Sequence, residues 1–274
     1  MKELTTIGDY EVRVIERVGG VVRYAATHIV LPRRAIIELV DVSAPKVDAM
    51  KLMRRACILE ALEHPAVPRV YECGRLEGRP WIAIAHETGT TLEDELQQRK
   101  LEVREALTLL EELATVLSHA HARGVLHGTI CPAAIFRAPT LRLQRWDNAR
   151  AHDTELSSDA IDGRDDVFAL GKTISAALAR PLAASEAFTA LLSRMLSADP
   201  AMRPTASEVV AATRAVRDAI GAVDDLEVDL VLEALPGDEA PEIVIEYPVE
   251  EEEPILLERR RATLDTVIVD LEAC

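Results

Sequence analysis

His127-Gly128-Thr129-Ile130-Cys131-Pro132-Ala133-Ala134-Ile135-Phe136 is the stretch on which the reading of this chain turns. A His and a Pro five positions apart are followed by a short apolar pair. Between them lie small residues with little chemistry: Thr129 has no useful basicity at neutral pH, and Ala134 can ligate nothing. The pattern is short, so its weight comes from the segments around it. Upstream, VREALTLLEELATVLSHAHARG (103–124) has helical spacing and ends at Gly124. Further upstream, residues 9–42 alternate as strands, with Gly19-Gly20 as a hairpin turn. Residues 46–63 have helical spacing, with Met50, Met53, Cys57, Ile58 and Leu62 on one face. Residues 66–87 return to strand, with a hairpin expected at Leu76-Glu77-Gly78-Arg79. Downstream, DDVFALGKTISAALA, SEAFTALLSRMLS and TASEVVAATRAVRDAI are three more helices. A small β-rich part therefore precedes a larger helical one.

The chain has 274 residues and is 49% hydrophobic, enough for a real core, but only 3% aromatic, so aliphatic side chains must fill it. No run of about 18 apolar residues occurs, and MKELTTIGDYEVR has no signal-peptide pattern. The expectation is a soluble, cytoplasmic protein with no membrane insertion. Cys57, Cys73, Cys131 and Cys274 are scattered without C-x-x-C, which suggests neither a disulfide framework nor a zinc site. The formal charge of −16 is uneven: residues 221–274 hold 17 Asp/Glu against 3 Arg, and the rest of the chain is nearly neutral. An acidic tail argues against nucleic-acid binding through phosphates and favours a basic partner, or solubility alone.

In this order the segments resemble the eukaryotic-like Ser/Thr protein kinase fold, from about Tyr10 to Ile220. LEALEHPAVPRVYECGRLEGRPWIAIAHETGTTLEDEL looks like the run from helix C through the hinge into helix D. HAHARGVLHGTICPAAIF looks like the end of helix E and the catalytic loop. DGRDDVFALGKTI resembles the start of helix F, with Asp166 and Gly171 at its Asp and Gly. RMLSADPAMRPTASEVV is similar to the carboxy-terminal signature, with Arg203 at its Arg. The resemblance implies an α+β, two-lobed kinase-like fold. The expected parts are a small β-rich N-lobe (1–88), a larger helical C-lobe (89–220) and an acidic C-terminal tail (221–274), with a bacterial look to the residue usage.

At the positions where that family does its chemistry, the residues differ. Thr129 stands at the catalytic Asp and Ala134 at the magnesium-binding Asn. In Glu16-Arg17-Val18-Gly19-Gly20-Val21 the family's glycine positions are filled by other residues, and Gly19 and Gly20 occupy the spacers. Glu38, in Arg34-Ala35-Ile36-Ile37-Glu38, stands at the phosphate-binding Lys, and Arg55 at its helix-C Glu. Two unit charges attract equally in either order, so a Glu38–Arg55 pair would keep helix C docked; the alternative is two unrelated surface charges. In Leu143-Gln144-Arg145-Trp146-Asp147, Arg145 stands at the magnesium-binding Asp and Trp146 at the Phe. Arg repels a metal ion, but could hold a phosphate directly. Only 21 positions separate Arg145 from Asp166, and no A-P-E lies between them, so the Arg203 partner is left to Asp159 or Asp162.

These substitutions give the expectation of a pseudokinase: no enzyme, no cofactor, no metal, and a protein-interaction, scaffolding or regulatory role in signalling or assembly. The remnant cleft would comprise Gly19, Gly20, Ile36, Glu38, Arg55, Ile84, His86, Arg145 and Trp146. The alternative is an unconventional nucleotide-binding enzyme or small-molecule sensor working without magnesium. His119, His121, His127 and His152 read as core or surface groups rather than ligands. In the tail, Arg259-Arg260-Arg261-Ala262-Thr263 makes Thr263 a candidate phosphosite, or compensates Glu250 to Glu253. Ile243, Val244, Ile245 and Tyr247 are candidates for adding to a partner's sheet edge.

Overall fold

The computed structural model describes residues 4–137, 140–151, 163–179 and 186–233. The N-terminal lobe is one antiparallel sheet of six strands: β1 (Thr6–Ile7), β2 (Tyr10–Val18), β3 (Val21–His28), β4 (Arg34–Val40), β5 (Val70–Leu76) and β6 (Arg79–Ala85), in the order β1-β2-β3-β4-β6-β5. Helix α1 (Lys46–Leu62) joins β4 to β5. Both tight hairpins use two left-handed residues, Gly19 and Gly20 (φ 56° and 76°) and Glu77 and Gly78 (φ 51° and 81°). Such turns match the twist of the strands they join. Strand β2 bulges between Val14 and Glu16, which brings Glu16 opposite Arg23.

One face of the sheet closes over Tyr10, Tyr24, Ile37, Leu39 and Trp81. The other faces α1 and is continuous with the core of the helical lobe. The lobe is built from α2 (Leu92–Gln98), α3 (Val103–His121), α4 (Arg164–Ala177), α5 (Glu186–Met195) and α6 (Ala206–Glu233), with short strand pairs β7 (Val125–Leu126) with β10 (Arg150–Ala151) and β8 (Ile135–Phe136) with β9 (Arg142–Leu143). Helix α3 is its axis: Leu107, Leu110, Leu113, Ala114, Leu117 and Ala120 are buried at helical spacing. The small strand pairs carry the segment quoted first, and so set the floor of the cleft between the lobes.

By its contacts the chain divides after Leu230, and Met1–Leu230 makes one compact unit. Helix α6 is continuous across residue 221, where the composition changes. Thr263, the Ile243–Tyr247 segment, Glu250 to Glu253, Arg259 to Arg261, His152, Asp159 and Asp162 lie outside the described residues.

The face expected for α1 is corrected. Met50 is 69% exposed and Cys57 is exposed. The buried face is Leu52, Arg55, Ala56, Ile58, Leu59 and Leu62. An arginine in the middle of that stripe reads as polar in sequence, which shifts the apparent hydrophobic face around the helix.

Candidate functional site

Strand register places the first two charges. Glu38 on β4 is directly opposite Arg23 on β3, and its side chain turns inward under the sheet, 2% exposed. An isolated buried carboxylate would be costly, but two guanidiniums satisfy this one. Arg23 Nε donates to Glu38 Oε1 at 3.1 Å, and Arg55 Nη2, from the buried face of α1, donates to Glu38 Oε2. The swapped pair is thus formed.

The ion pair extends across the lobes. Asp147 sits in a one-turn 3-10 helix, Trp146–Asn148, on the helical lobe. Arg23 Nη2 donates to Asp147 Oδ1 at 3.0 Å, and Arg55 Nη1 donates to the same oxygen. Arg23 Nη1 also reaches Glu16 Oε1 at 2.9 Å. Burial opposes the Arg23 charge, but Glu38, Glu16 and Asp147 outweigh it and raise its pKa further above the ordinary guanidinium value.

The network borders two cavities. One, about 280 Å3, includes Gly19, Lys51, Thr129, Arg145 and Asn148 in its wall. The other, about 270 Å3, is bounded by Ile36, Ile84, His86, Phe136 and Trp146. Gly20 is in neither wall, and a Cβ there would run into the Asp48 carboxylate. Arg145 has left-handed backbone (φ 62°) and an exposed side chain. Its one polar contact among those described is Cys131 Sγ, at 3.9 Å. Thr129 Oγ1 accepts from Asn148 Nδ2 at 2.8 Å. Ala134 is fully buried and puts no side chain in the cleft; its carbonyl accepts from Gln144 N.

Beneath the cleft the loop is fixed by buried polar groups. Asp166, at the start of α4, accepts from His127 N and Gly128 N, both at 2.8 Å, and from His121 Nε2 at 2.9 Å. Burial alone would raise its pKa; the three donors reverse that and hold it below the ordinary carboxylate value. His127 is wholly buried, its Nε2–H donating to Gln144 O and its Nδ1 accepting from Thr129 N. Burial pushes its pKa down, so the neutral ring is favoured. Trp146 packs edge-on against it at 4.5 Å and donates to Leu143 O. His119 and His121 turn to different partners, Leu62 O and Asp166. Arg203 pairs with Asp165 at 2.7 Å and lies 4.4 Å over the Phe168 ring, a partner the sequence reading did not weigh.

Arg23 is a member of the network that sequence reasoning missed; Glu16 and Asp147 lie in cleft stretches quoted above, but their pairing with Arg23 and Arg55 was not read. For Arg23 the available signal was its register opposite Glu38. For Asp147 the signal was its place in the Leu143–Asp147 stretch, one register from the magnesium-binding position.

No protein-family model matches the sequence. The crystal structure of the Mycobacterium tuberculosis PknI kinase domain superposes with a TM-score of 0.61 at 23% identity, covering 79% of this chain and 100% of that one. The fold is that of a bacterial Ser/Thr protein kinase domain. In sequence, the kinase-fold stretch is 31% identical over 112 residues to the serine/threonine-protein kinase PknJ of Mycobacterium tuberculosis, 40% of this chain and 19% of PknJ. It is 26% identical over 129 residues to the serine/threonine-protein kinase PrkC of Bacillus subtilis, 46% of this chain and 20% of PrkC. These matches span about a fifth of each relative.

The kinase relatives overturn one expectation. The reading of the chain as no enzyme is corrected, because the proteins it resembles in sequence are named as protein kinases, which points to an enzyme. That reading rested on which groups are replaced at four positions. A replaced side chain removes one group and leaves open what its neighbours contribute; here Arg145, Asp147 and Thr129 remain in the cleft. No helix among the described residues is long and apolar enough to cross a membrane.

Proposed function

We propose that this kinase-fold chain is a regulatory module in bacterial-type signalling, cytoplasmic, and that it works by presenting a fixed two-lobed surface to a protein partner. The observation that carries this reading is the pair of hydrogen bonds that Asp147 accepts from Arg23 and Arg55. In a nucleotide-dependent kinase, metal and phosphate help draw the lobes together. In this chain, protein charges span the same gap and tie α1 to the helical lobe. The acidic segment 221–274 is the first candidate for a second contact with the partner.

Arg145 favours a second reading, an enzyme or small-molecule sensor that uses the cleft without magnesium. Arg145 lines both cavities, and its guanidinium has no carboxylate partner among the described residues.

Both readings are tested by thermal unfolding of the full chain with ATP, with magnesium or with a chelator, alongside labelled-phosphate incorporation. A ligand that binds only the folded state raises the melting temperature. The regulatory reading expects magnesium to add nothing to any shift. A shift that requires magnesium, together with labelled product, replaces it with the activity for which the relatives are named.

A further inference from the structure

We propose that the loop between β3 and β4 is a contact for an anionic lipid surface. Its tip, Ile29-Val30-Leu31, seats at headgroup depth, and Arg33 and Arg34 meet the lipid phosphates. The three apolar side chains are 58%, 79% and 42% exposed. Single exposed aliphatics are ordinary on a protein surface. Three in succession at a turn are not, and they mark a surface used for something other than folding.

The backbone of the loop favours lipid over a protein groove. Chain entering the lipid boundary must satisfy its own N–H groups, because water becomes scarce there. Ile29 N donates to Asp9 O at 2.9 Å, and Arg33 N donates to Leu31 O at 2.6 Å. Val30 N and Leu31 N both donate to His28 Nδ1 at 3.1 Å. Pro32 has no N–H. Every N–H from Ile29 to Arg33 is therefore used within the protein. The His28 ring that takes two of them stands edge-on to the buried Tyr10, with centroids 5.0 Å apart, so the turn is preset. A protein partner reads free strand donors, or a broad patch with Trp and Tyr anchors. This tip offers aliphatic groups and no free N–H.

The flanking charge has the complementary sign. Arg34 is exposed, and the Arg33 guanidinium lies 4.4 Å over the Tyr71 ring. Neither has a carboxylate partner among the described residues. A guanidinium suits phosphate through two parallel hydrogen bonds. Asp9, exposed beside the loop, works against the attraction, as does the formal charge of −16. Repulsion from charge beyond about 8 Å is screened at physiological salt, so the groups at the contact decide. A contact of this depth needs no membrane-crossing helix. The inference does not rest on the proposed function, and it adds a place where that function would operate.

The test is co-sedimentation of the full chain with vesicles of phosphatidylcholine, alone or mixed with phosphatidylserine. The natural chain should partition to the mixed vesicles. Val30→Ser with Leu31→Ser should weaken that partition about tenfold or more. Arg33→Gln with Arg34→Gln should weaken it about tenfold and abolish the preference for phosphatidylserine. Val30→Trp reports insertion directly: Trp81 and Trp146 are buried, so the emission of the added indole should shift to the blue only when mixed vesicles are present. Urea midpoints should be unchanged in all three, because the replaced side chains stand outside the core. Failure of the natural chain to sediment with mixed vesicles overturns the proposal. So does sedimentation with no shift at Val30→Trp, which would place the contact on another surface. Self-association without vesicles that Val30→Ser with Leu31→Ser removes would make the tip a protein contact, and also overturns it. None of these results depends on partner binding or on nucleotide, so failure here is separable from failure of the proposed function.

Discussion

Glu38 and Arg55 form a buried ion pair in which the charges stand in the reverse order from the Lys and Glu of the kinase pattern. The pair holds α1 against the sheet through bonds that need no ligand. Its energetic meaning lies in what happens when one partner is lost.

Reversing either charge should destabilise the fold by about 3–5 kcal/mol, because a buried like-charge contact replaces the pair and only Arg23 is left to Glu38, or Asp147 to Arg55. Glu38→Lys and Arg55→Glu are each expected to lower the urea midpoint sharply. The double variant should recover part of the loss, but not all. Arg23 would then face a lysine, and Asp147 a glutamate. A double-mutant cycle measures the coupling, and a coupling near zero contradicts the pair.

The loop below the cleft should make stability fall as pH drops. The folded pKa of His127 is lowered by burial, from an unfolded value of about 6.5. The unfolded chain therefore binds the extra proton first, so this contribution is complete above about pH 6.5 and declines as pH falls toward the folded pKa. His64 is shifted in the same direction, chiefly by burial. Asp166 is also lowered, so its contribution is complete above about pH 3.9 and is lost at lower pH. Urea midpoints from pH 8 to pH 5 should decline, and His127→Gln should be less stable at pH 8 but flatter with pH.

Arg203 and Asp165 should behave very unequally although they form one ion pair. Arg203 also donates to the carbonyls of Ser197 and Ala198 and covers Phe168. The Asp165 side chain is 89% exposed. Arg203→Ala should cost about 2 kcal/mol or more, and Asp165→Asn less than about 1 kcal/mol. Equal losses in chemical denaturation would mean the pair itself carries the energy.

Gly74 on β5 lies against the Trp81 ring, where a Cβ would come within 2.7 Å. Gly74→Ala should destabilise by about 1–3 kcal/mol through overpacking. The centre of the near-ultraviolet tryptophan signal should change with it, since the indole must move.

The sequence by itself determined the order of the elements, the two hairpins and the division into a strand-rich and a helical part. Those follow from local periodicity and turn chemistry, which are written within a few residues of each position. It also marked Thr129, Ala134, Glu38, Arg55 and Arg145 as the positions where the kinase pattern changes. Only the tertiary structure decided which charges meet. Arg55 and Asp147 are 92 positions apart, and Arg23 and Asp147 are 124 apart, so their convergence depends on how the lobes pack. It also decided that α1 buries Arg55 among leucines and that Arg203 turns to Asp165. A charged side chain reads as solvent-exposed in sequence until a partner from a distant element makes its burial affordable, and that partner is supplied only by the fold.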